Sequence, residues 1–305
     1  MNNTSPVYSI IIPHKNIPHL LQRCLDSIPR RKDVQIIVVD DNSEPDKVDF
    51  AHFPGLNDPY VEIVFGKNEN GRKGAGYARN LGLERARGKW LIFADADDFF
   101  MPCFNEILDK YADDENDLIY FKSTSVESKT LEPHDRHERV NTVLSEIQKT
   151  NDWSIAIILP SVVWGRFFRH SIIFQNNILF QEVEYSNDVL FSAKLVSVDA
   201  KRIIYNEIMY CTTNRTVSLM GTHTIEAYLI RFQVTLDVCV YLKELKEREK
   251  LYILDSAIVW WSFILSENAR KALSLIPKMV KVFGLRNTFN YINWRNTISH
   301  FLHIT

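Results

Sequence analysis

The stretch that decides the fold is Gly88-Lys-Trp-Leu-Ile-Phe-Ala-Asp-Ala-Asp-Asp98, which joins four apolar residues to a run of acids. Residues 90–93 have the length and composition of a buried β-strand that ends where the acids begin. Three earlier apolar runs also end at turn or polar residues, and they lie at 8–12, 34–39 and 61–65. The sequence therefore predicts four short strands, each followed by turn or polar residues.

Helix-compatible segments separate these strands, at 18–28, 45–52 and 76–86. Strands that alternate with helices indicate βαβ units, and hence an α/β fold whose mainly parallel sheet is covered by helices on both faces. In open sheets of this kind a ligand binds beyond the carboxyl ends of the strands. The residues that follow each strand are therefore the first candidates for function.

The rest of the chain predicts further elements and then a change of pattern. We expect a strand at 118–122, a polar loop at 123–141, a helix at 189–198 and two short strands at 202–205 and 207–211. From residue 224 the apolar residues recur at helical spacing. This change predicts an α/β domain over 1–220 and a helical region over 221–305, with the boundary near Gly221.

Composition and charge exclude several classes of protein. Of the 305 residues, 46% are apolar and 24% charged, so the chain can bury a core without disulfides or a structural metal. A total of 36 Lys and Arg residues against 38 Asp and Glu gives a net charge of −2, which argues against a nucleic-acid partner. The four cysteines show no paired spacing, and no apolar run resembles a signal sequence or a membrane span, so we expect a cytoplasmic protein.

Polar clusters follow three of the predicted strands: Pro13-His-Lys-Asn16, Asp40-Asp-Asn-Ser43 and Asp95-Ala-Asp-Asp98. We expect these clusters to converge on one edge of the sheet. Asp95 and Asp97 are one residue apart, so they can direct oxygen atoms at a hard divalent cation that keeps open positions for phosphate oxygens. The clusters therefore predict a site suited to a nucleotide diphosphate.

A glycine-rich and basic segment lies between the second and third clusters, Asn70-Gly-Arg-Lys-Gly-Ala-Gly-Tyr-Ala-Arg79. Its three glycines allow a ligand to approach the backbone closely, and Arg72, Lys73 and Arg79 can pair with an anion. It is not a dinucleotide-binding fingerprint, because it does not follow the first strand and ends in Arg79 rather than glycine.

Four motifs between residues 9 and 102 resemble the nucleotide-binding half of family-2 glycosyltransferases with the GT-A fold: Ser9-Ile-Ile-Ile-Pro13, Val38-Val-Asp-Asp-Asn-Ser43, Gly76-Tyr-Ala-Arg-Asn-Leu-Gly82 and the stretch 88–98. Trp164-Gly-Arg166, Asn187-Asp188 and residues 215–218 resemble later elements of that family. The resemblance implies a nucleotide-sugar donor, a Mn²⁺ or Mg²⁺ ion near Asp97 and direct displacement with inversion at the anomeric carbon, in glycan or polysaccharide synthesis.

The resemblance also implies which residues contact the nucleotide. Pro13 and Lys15 would line the nucleoside pocket, Asp41 would accept the imide N–H of a uracil, and Arg79 would lie near the nucleotide. Lys73, in the basic segment, completes this candidate set for donor binding. Because guanine also presents a ring N–H to a carboxylate, GDP stays open beside the favoured UDP.

For the reaction itself, the resemblance implies two acids that serve the metal and one that serves as base. Asp97 would ligate the metal, Asp95 would face the ribose or a metal-bound water, and Asp188 would take the proton of the acceptor hydroxyl. The family commonly has Glu-Asp at the last position, whereas this chain has Asn187-Asp188. The base is therefore present without its charged neighbour.

Some of these acids also have a purely structural explanation. Asp95 and Asp97 can cap a helix that begins at Phe99, Asp41 can form an Asx turn, and Asp188 can be the N-cap of the helix predicted from 189.

An aromatic residue and two histidines also allow two interpretations each. Trp164 can stack on an acceptor sugar or fill the core, and Trp164 and Arg215 are the candidates for acceptor contact. His134 and His137 can bind a metal or belong to a solvated loop.

Two other functions compete with a glycosyltransferase. Asp95-Ala-Asp97 after a strand is also typical of phosphohydrolases of the haloacid-dehalogenase type, although that motif belongs on the first strand. A non-catalytic module that binds a sugar nucleotide is the other alternative, and it requires Asp188 to be only a helix cap.

The segment 269–305 contains six basic residues and no acid, together with several aromatic residues. Basic and aromatic residues on one helical surface suit an anionic membrane leaflet, where a lipid-linked acceptor would be found. The alternative is a helix packed on the protein with its cations in water. We therefore expect a glycan or lipid-linked acceptor and a peripheral contact with the inner face of the membrane.

Overall fold

The computed structural model describes residues 5–67, 74–157, 162–215, 222–242 and 247–288, and in the last range it describes side chains from residue 256 onward. The chain divides into two compact units, Met1–Ser218 and Leu219–Thr305. The described strands all lie in the first unit, and the described part of the second unit is helical.

Eight strands form the centre of the first unit: β1 (Tyr8–His14), β2 (Val34–Asp40), β3 (Val61–Phe65), β4 (Trp90–Phe93), β5 (Phe99–Phe100), β6 (Leu118–Glu127), β7 (Arg166–Arg169) and β8 (Arg202–Asn214). They lie side by side in the order β3-β2-β1-β4-β7-β6-β8-β5. The first four in that order are parallel, β7 is antiparallel to both β4 and β6, and β8 is parallel to β6 but antiparallel to β5. The predicted α/β class with a mainly parallel sheet is confirmed, and β7 and β5 make the sheet mixed.

The helices described in this unit are α1 (Pro18–Asp26), α2 (Ala75–Arg85), α3 (Phe104–Tyr111), α4 (Glu138–Thr150), α5 (His170–Gln175) and α6 (Val189–Ser197). Every residue of β1, β2 and β4 is buried, because these apolar strands are covered on both faces. The four strands predicted from the apolar runs and the helices predicted near 18–28, 76–86 and 189–198 are confirmed.

The helix predicted at 45–52 is wrong. This segment forms turns and a short 3-10 helix at Phe50–His52. The carboxylate of Asp49 accepts a hydrogen bond from the N–H of Ala51 at 2.9 Å. Such local bonds between side chain and backbone compete with the bonds of an α-helix, which the apolar spacing alone does not reveal.

The loop predicted at 123–141 is wrong at both ends, because β6 continues to Glu127 and α4 begins at Glu138, whereas the residues between them form turns as predicted. The polar side chains that suggested a loop are paired inside the fold. Ser125 donates a hydrogen bond from Oγ to the carbonyl of His134 at 2.6 Å, and the N–H of Ser123 donates to Oδ1 of Asn141 at 3.1 Å. The strands predicted at 202–205 and 207–211 form the single strand β8, and its pairing with β6 shifts register near Lys122.

The described helices of the second unit are α7 (Ile225–Tyr241), α8 (Glu247–Glu267) and α9 (Ala269–Phe283), as the helical spacing predicts. They share a core that includes Phe232, Trp261 and Met279. The indole N–H of Trp261 donates to the carbonyl of Ala272 at 2.8 Å, which joins α8 to α9. Among the helices described, none combines the length and the apolar character that crossing a bilayer requires.

Candidate active site

A buried pair, His14 and Asp40, joins the carboxyl ends of β1 and β2. Nδ1 of His14 lies 2.8 Å from Oδ1 of Asp40, and Nε2 accepts the N–H of Ile17 at 3.2 Å. The ring thus links Asp40 on one side to the backbone of Ile17 on the other. Although burial opposes ionisation, the bonds from His14 and Ser43 lower the pKa of Asp40 below its usual value. This cross-link fixes the residues that follow the two strands, Lys15 and Asp41.

Asp41 lies buried where β2 ends, and it contacts the start of α2. Its Oδ2 accepts the N–H of Gly74 at 2.8 Å and lies 3.8 Å from Nζ of Lys15. Burial raises the pKa of Asp41, and the ammonium group of Lys15 opposes that rise. The structure therefore brings two of the predicted nucleotide-binding residues together. Pro13 is buried within β1 beside them, and Arg72 and Lys73 lie outside the described residues.

Three carboxylates meet at the end of β4. One oxygen from each of Asp95, Asp97 and Asp98 lies within 4.8 Å of the other two. Burial and the charge of Asp95 raise the pKa of Asp97, and burial together with Asp97 raises the pKa of Asp98 well above its usual value. Oδ1 of Asp98 accepts the N–H of Thr213 at 2.6 Å, whereas Oδ2 is buried with no hydrogen-bond partner.

This acidic cluster suits a divalent cation. Carboxylate oxygens are the ligands that Mg²⁺ and Mn²⁺ prefer, and a cation would offset the mutual repulsion that adds to burial in raising the pKa values of Asp97 and Asp98. Within the described ranges of the chain, no other group of three or more His, Cys, Asp or Glu side chains is arranged to hold a metal. The helix-cap explanation of Asp95 and Asp97 fails, because Phe99 begins β5 and not a helix.

Three arginines surround the cluster. Nε of Arg215 lies 2.7 Å from Oδ2 of Asp97, and Arg79 donates from Nη2 to Oδ1 of Asp95 at 2.7 Å. Arg23 donates from Nη2 to the backbone carbonyl of Asp97 at 2.6 Å, which fixes the loop itself. Sequence reasoning did not identify Arg23, because its partner lies 74 positions along the chain and no motif marks it.

Asp188 lies immediately before α6, and its carboxylate does not cap that helix. The pKa of Asp188 rises to about 6, mainly because burial disfavours the charged form. The charge of Arg79 opposes this rise, Asp95 adds to it, and Arg166 opposes it more weakly. A carboxyl group with a pKa near neutrality is suited to accept a proton. The cap explanation of Asp188 is therefore not supported.

The segment before Asp188 packs closely on the start of α2. Oδ1 of Asn187 accepts a hydrogen bond from Nη1 of Arg79 at 2.7 Å, and Ser186 has a left-handed backbone with φ of 58°. A Cβ atom on Gly76 would lie 2.0 Å from the carbonyl oxygen of Gln181 and 2.9 Å from Cβ of Asn187. Glycine is therefore required at position 76 for the two segments to approach.

Trp164 and Arg166 are buried, which for Trp164 agrees with the core alternative of the sequence analysis. Trp164 is only 6% exposed and stacks on Tyr210, whose hydroxyl accepts the N–H of Asp95 at 2.9 Å. It therefore supports the acidic loop from the core. Arg166 is 7% exposed, and its guanidinium lies over the ring of Tyr120 at 4.7 Å. The sequence offered Arg166 within a family-like motif but gave it no role.

His134 and His137 belong to an ordered turn between β6 and α4. Nε2 of His134 lies 3.4 Å from Oε1 of Glu127, and Nδ1 of His137 lies 2.7 Å from Oγ of Ser125. The two histidines are not part of the metal-type cluster found among the described residues.

A mixed sheet flanked by helices, with an acidic loop at the carboxyl end of β4, matches the GT-A fold of solved glycosyltransferases. The sequence model described as Glycosyl transferase family 2 matches residues 9–172, more than half of the chain. The chain therefore belongs to glycosyltransferase family 2, as its motifs predict.

Relatives and solved structures agree with this assignment. The uncharacterized glycosyltransferase YibD of Escherichia coli K12 is 29% identical over 213 residues, which is 63% of this chain and 58% of YibD. The cholesterol galactosyltransferase of Borreliella burgdorferi is 25% identical over 203 residues, 63% of this chain and 55% of that protein. The chain thus spans little more than half the length of these relatives.

Two solved structures share the fold. Residues 1–349 of S. aureus TarS in complex with UDP-GlcNAc superpose with a TM-score of 0.60 at 20% identity, over 85% of this chain and 74% of that one. The mannosyltransferase PcManGT of Pyrobaculum calidifontis, in complex with GDP-Man and Mn²⁺, superposes with a TM-score of 0.53 at 16% identity, over 95% of this chain and 84% of that one.

Proposed function

We propose that this protein is a metal-dependent, inverting hexosyltransferase that moves a sugar from a nucleotide-diphosphate donor to an acceptor hydroxyl. The observation that carries the proposal is the arrangement of two kinds of acid. Asp95, Asp97 and Asp98 form a compact cluster. Asp188 lies on a separate segment, its carboxyl group does not cap α6, and its pKa is raised. The match to glycosyltransferase family 2 over residues 9–172 excludes the phosphohydrolase alternative.

The donor would occupy the carboxyl edge of the sheet. Lys15 and Asp41 lie side by side next to Pro13, where they can hold the base and ribose. UDP is the favoured nucleotide, supported by the neighbour that binds UDP-GlcNAc, and the GDP-Man complex of the other neighbour keeps GDP in the test. Asp97 and Asp95 would hold a Mn²⁺ or Mg²⁺ ion, which when bound offsets the charge of the diphosphate and stabilises it as a leaving group.

On the acceptor side, Asp188 would take the proton of the attacking hydroxyl. A sugar hydroxyl is a poor nucleophile, so its proton must leave as the bond to the anomeric carbon forms. One base is enough for a single displacement, which inverts the configuration. A retaining double displacement would need a second carboxylate as nucleophile, and Asp95 and Asp97 are the acids assigned to the metal.

The proposed catalytic domain comprises residues 1–220, and the proposed reaction belongs to glycan or polysaccharide synthesis. The helical region 221–305 would provide a peripheral contact with the cytoplasmic face of a membrane. The described part of α9 exposes Arg270, Lys271, Lys278 and Lys281. Residues 289–305, which carry most of the aromatic side chains of the predicted surface, lie outside the described residues. The acceptor would be a glycan or a lipid-linked sugar. Arg215, a candidate for acceptor contact, lies beside Asp97 of the proposed metal site.

The test is nucleotide release from a panel of UDP- and GDP-sugars with Mn²⁺ and candidate acceptors, followed by NMR of the anomeric configuration of the product. We expect one donor to be consumed only when acceptor and metal are both present, with inverted product. A donor that binds but is never transferred, with wild type and Asp188→Asn behaving alike, would instead indicate a non-catalytic binding module.

A further inference from the structure

Arg79 joins the acidic loop that carries Asp95 to the segment that carries Asp188. Its Nη2 donates to Oδ1 of Asp95, and its Nη1 donates to Oδ1 of Asn187, both at 2.7 Å. The side chain is only 7% exposed, and the guanidinium lies 5.3 Å from the ring centre of Phe180. Because the guanidinium is planar and rigid, two bonds from one group fix the distance between the residues that receive them.

Backbone hydrogen bonds also hold the segment that carries Asp188: the N–H of Val189 donates to the carbonyl of Ser186 at 3.2 Å, and the N–H of Ser192 donates to the carbonyl of Asp188 at 3.0 Å. The carboxylate of Asp188 forms no capping bond with α6, and Ser186 adopts a backbone conformation that non-glycine residues rarely take. The N–H of Gln181 donates to the carbonyl of Asn187 at 3.3 Å, which is longer than the bond from Arg79. Of the hydrogen bonds described for residue 187, the one from Arg79 is the shorter, and it is the one that holds the side chain.

We propose that Arg79 and Asn187 form a positioning pair, which holds Asp188 at a fixed distance from the metal-binding carboxylate Asp95. Arg79 then acts through its two partners and not as a ligand of the nucleotide. The inference rests on the proposed function, because it concerns the same base and the same donor site.

A neutral residue at position 187 has an electrostatic consequence. Arg79 faces one carboxylate, Asp95, and an amide, so part of its charge still favours the ionised form of Asp188. The other charged groups that act on Asp188 are Asp95, in the loop after β4, and Arg166 on β7. A carboxylate at position 187 would accept the same hydrogen bond but would place a second negative charge one residue from the base.

Two substitutions of similar size separate position from charge. Asn187→Leu removes the acceptor oxygen, so we expect kcat to fall about tenfold or more, while the KM of the donor and the Kd of UDP with Mn²⁺ stay within about twofold. Asn187→Asp keeps the acceptor, so we expect kcat at high pH within a few-fold of wild type. Its acid limb in the plot of kcat against pH should move upward by about half a pH unit or more.

The outcomes decide whether Arg79 and Asn187 position Asp188. The inference is overturned if Asn187→Leu turns over like wild type, or if both variants weaken donor binding as much as kcat. If Asn187→Leu does not fold, as judged by its melting curve and UDP binding, Asn187→Ala decides instead, because it removes the same acceptor oxygen without a bulky side chain, and wild-type kcat in that variant refutes the pair. A wild-type protein that transfers no sugar in the donor panel would refute the proposed function itself, which is a separate result.

Discussion

Nε of Arg215 lies 2.7 Å from Oδ2 of Asp97, so a cation from the end of β8 already contacts the carboxylate that is proposed to bind the metal. Asp97 is only 18% exposed in its side chain, and a buried carboxylate requires a partner of opposite charge. Arg215 supplies part of this compensation, and the raised pKa of Asp97 indicates that the compensation is incomplete. A divalent cation would complete it.

The first prediction follows from this deficit. Asp97→Asn should abolish the strengthening of UDP binding by Mn²⁺, because the amide is a weak ligand and removes one of the clustered charges. We expect a loss of about tenfold or more in affinity with Mn²⁺ present, measured by isothermal titration calorimetry. In EDTA the variant and wild type should bind UDP with similar, weak affinity.

The matched control for Asp97→Asn is Asp113→Asn. Asp113 is fully exposed, and its carboxylate lies 3.4 Å from Nζ of Lys89, away from the carboxyl edge of the sheet. It should bind UDP and Mn²⁺ like wild type. Wild-type protein that binds UDP equally well in Mn²⁺ and in EDTA would contradict the metal assignment.

The second prediction concerns the close packing at Gly76. Gly76→Ala should displace segment 181–187, because its new Cβ would lie 2.0 Å from a backbone oxygen that cannot rotate away. We expect a loss of about 2 kcal/mol in the free energy of unfolding and a fall of about tenfold or more in kcat. Glu84→Ala, at an exposed position of the same helix, is the control and should change neither quantity. Wild-type turnover in Gly76→Ala would show that the packing does not position the base.

Much of the fold follows from local sequence, but the connections within the site do not. The strand 90–93 and its acids are adjacent in the chain, so one stretch of eleven residues reveals both. The bond between Arg79 and Asn187 spans 108 positions, and that between Asp95 and Tyr210 spans 115. Such pairs depend on the order of strands in the sheet, which apolar periodicity does not determine. Likewise, Ser123 and Ser125 are polar and yet buried. Ser123 is paired with Asn141 of α4, and Ser125 is paired with His134 and His137 in the turn before that helix, so both partners lie in a stretch that the sequence presented as loop.

The third prediction concerns α9. Its exposed cations should bring the protein to anionic vesicles, since each Lys or Arg near such a surface contributes about 1 kcal/mol. In flotation with vesicles of phosphatidylserine and phosphatidylcholine, we expect binding that falls in 0.5 M salt and is lost in the double variant Lys271→Glu, Lys281→Glu. Lys47→Glu, at an exposed position of the first unit, is the control. Absence from both anionic and neutral vesicle fractions at low salt would refute the membrane contact.

The fourth prediction is the pH dependence of turnover. The pKa of Asp188 lies near 6, so the fraction of ionised base falls as the pH is lowered through that value. We expect kcat to fall on the acid side with an apparent pKa of about 6, and we expect no such limb in the residual activity of Asp188→Asn. Saturating donor and Mn²⁺ at every pH separate this effect from loss of metal. A limb that persists unchanged in Asp188→Asn would assign the titration to another group.

The last prediction joins catalysis to stability at Asp188. Since burial raises its pKa from 3.8 to about 6, the folded state holds the proton more tightly than the unfolded state, and the free energy of unfolding falls as the pH rises between these values. At neutral pH the ionised carboxylate therefore costs at most about 3 kcal/mol of stability. Asp188→Asn should melt at a higher temperature than wild type at pH 7.5, with the difference vanishing near pH 4, while kcat falls about 100-fold or more.

Asp33→Asn is the control of opposite sign, because hydrogen bonds from Arg31 lower the pKa of Asp33. This variant should lose stability at pH 7.5 and keep its kcat. An Asp188→Asn protein that is both less stable and as active as wild type would mean that Asp188 supports the fold and is not the base.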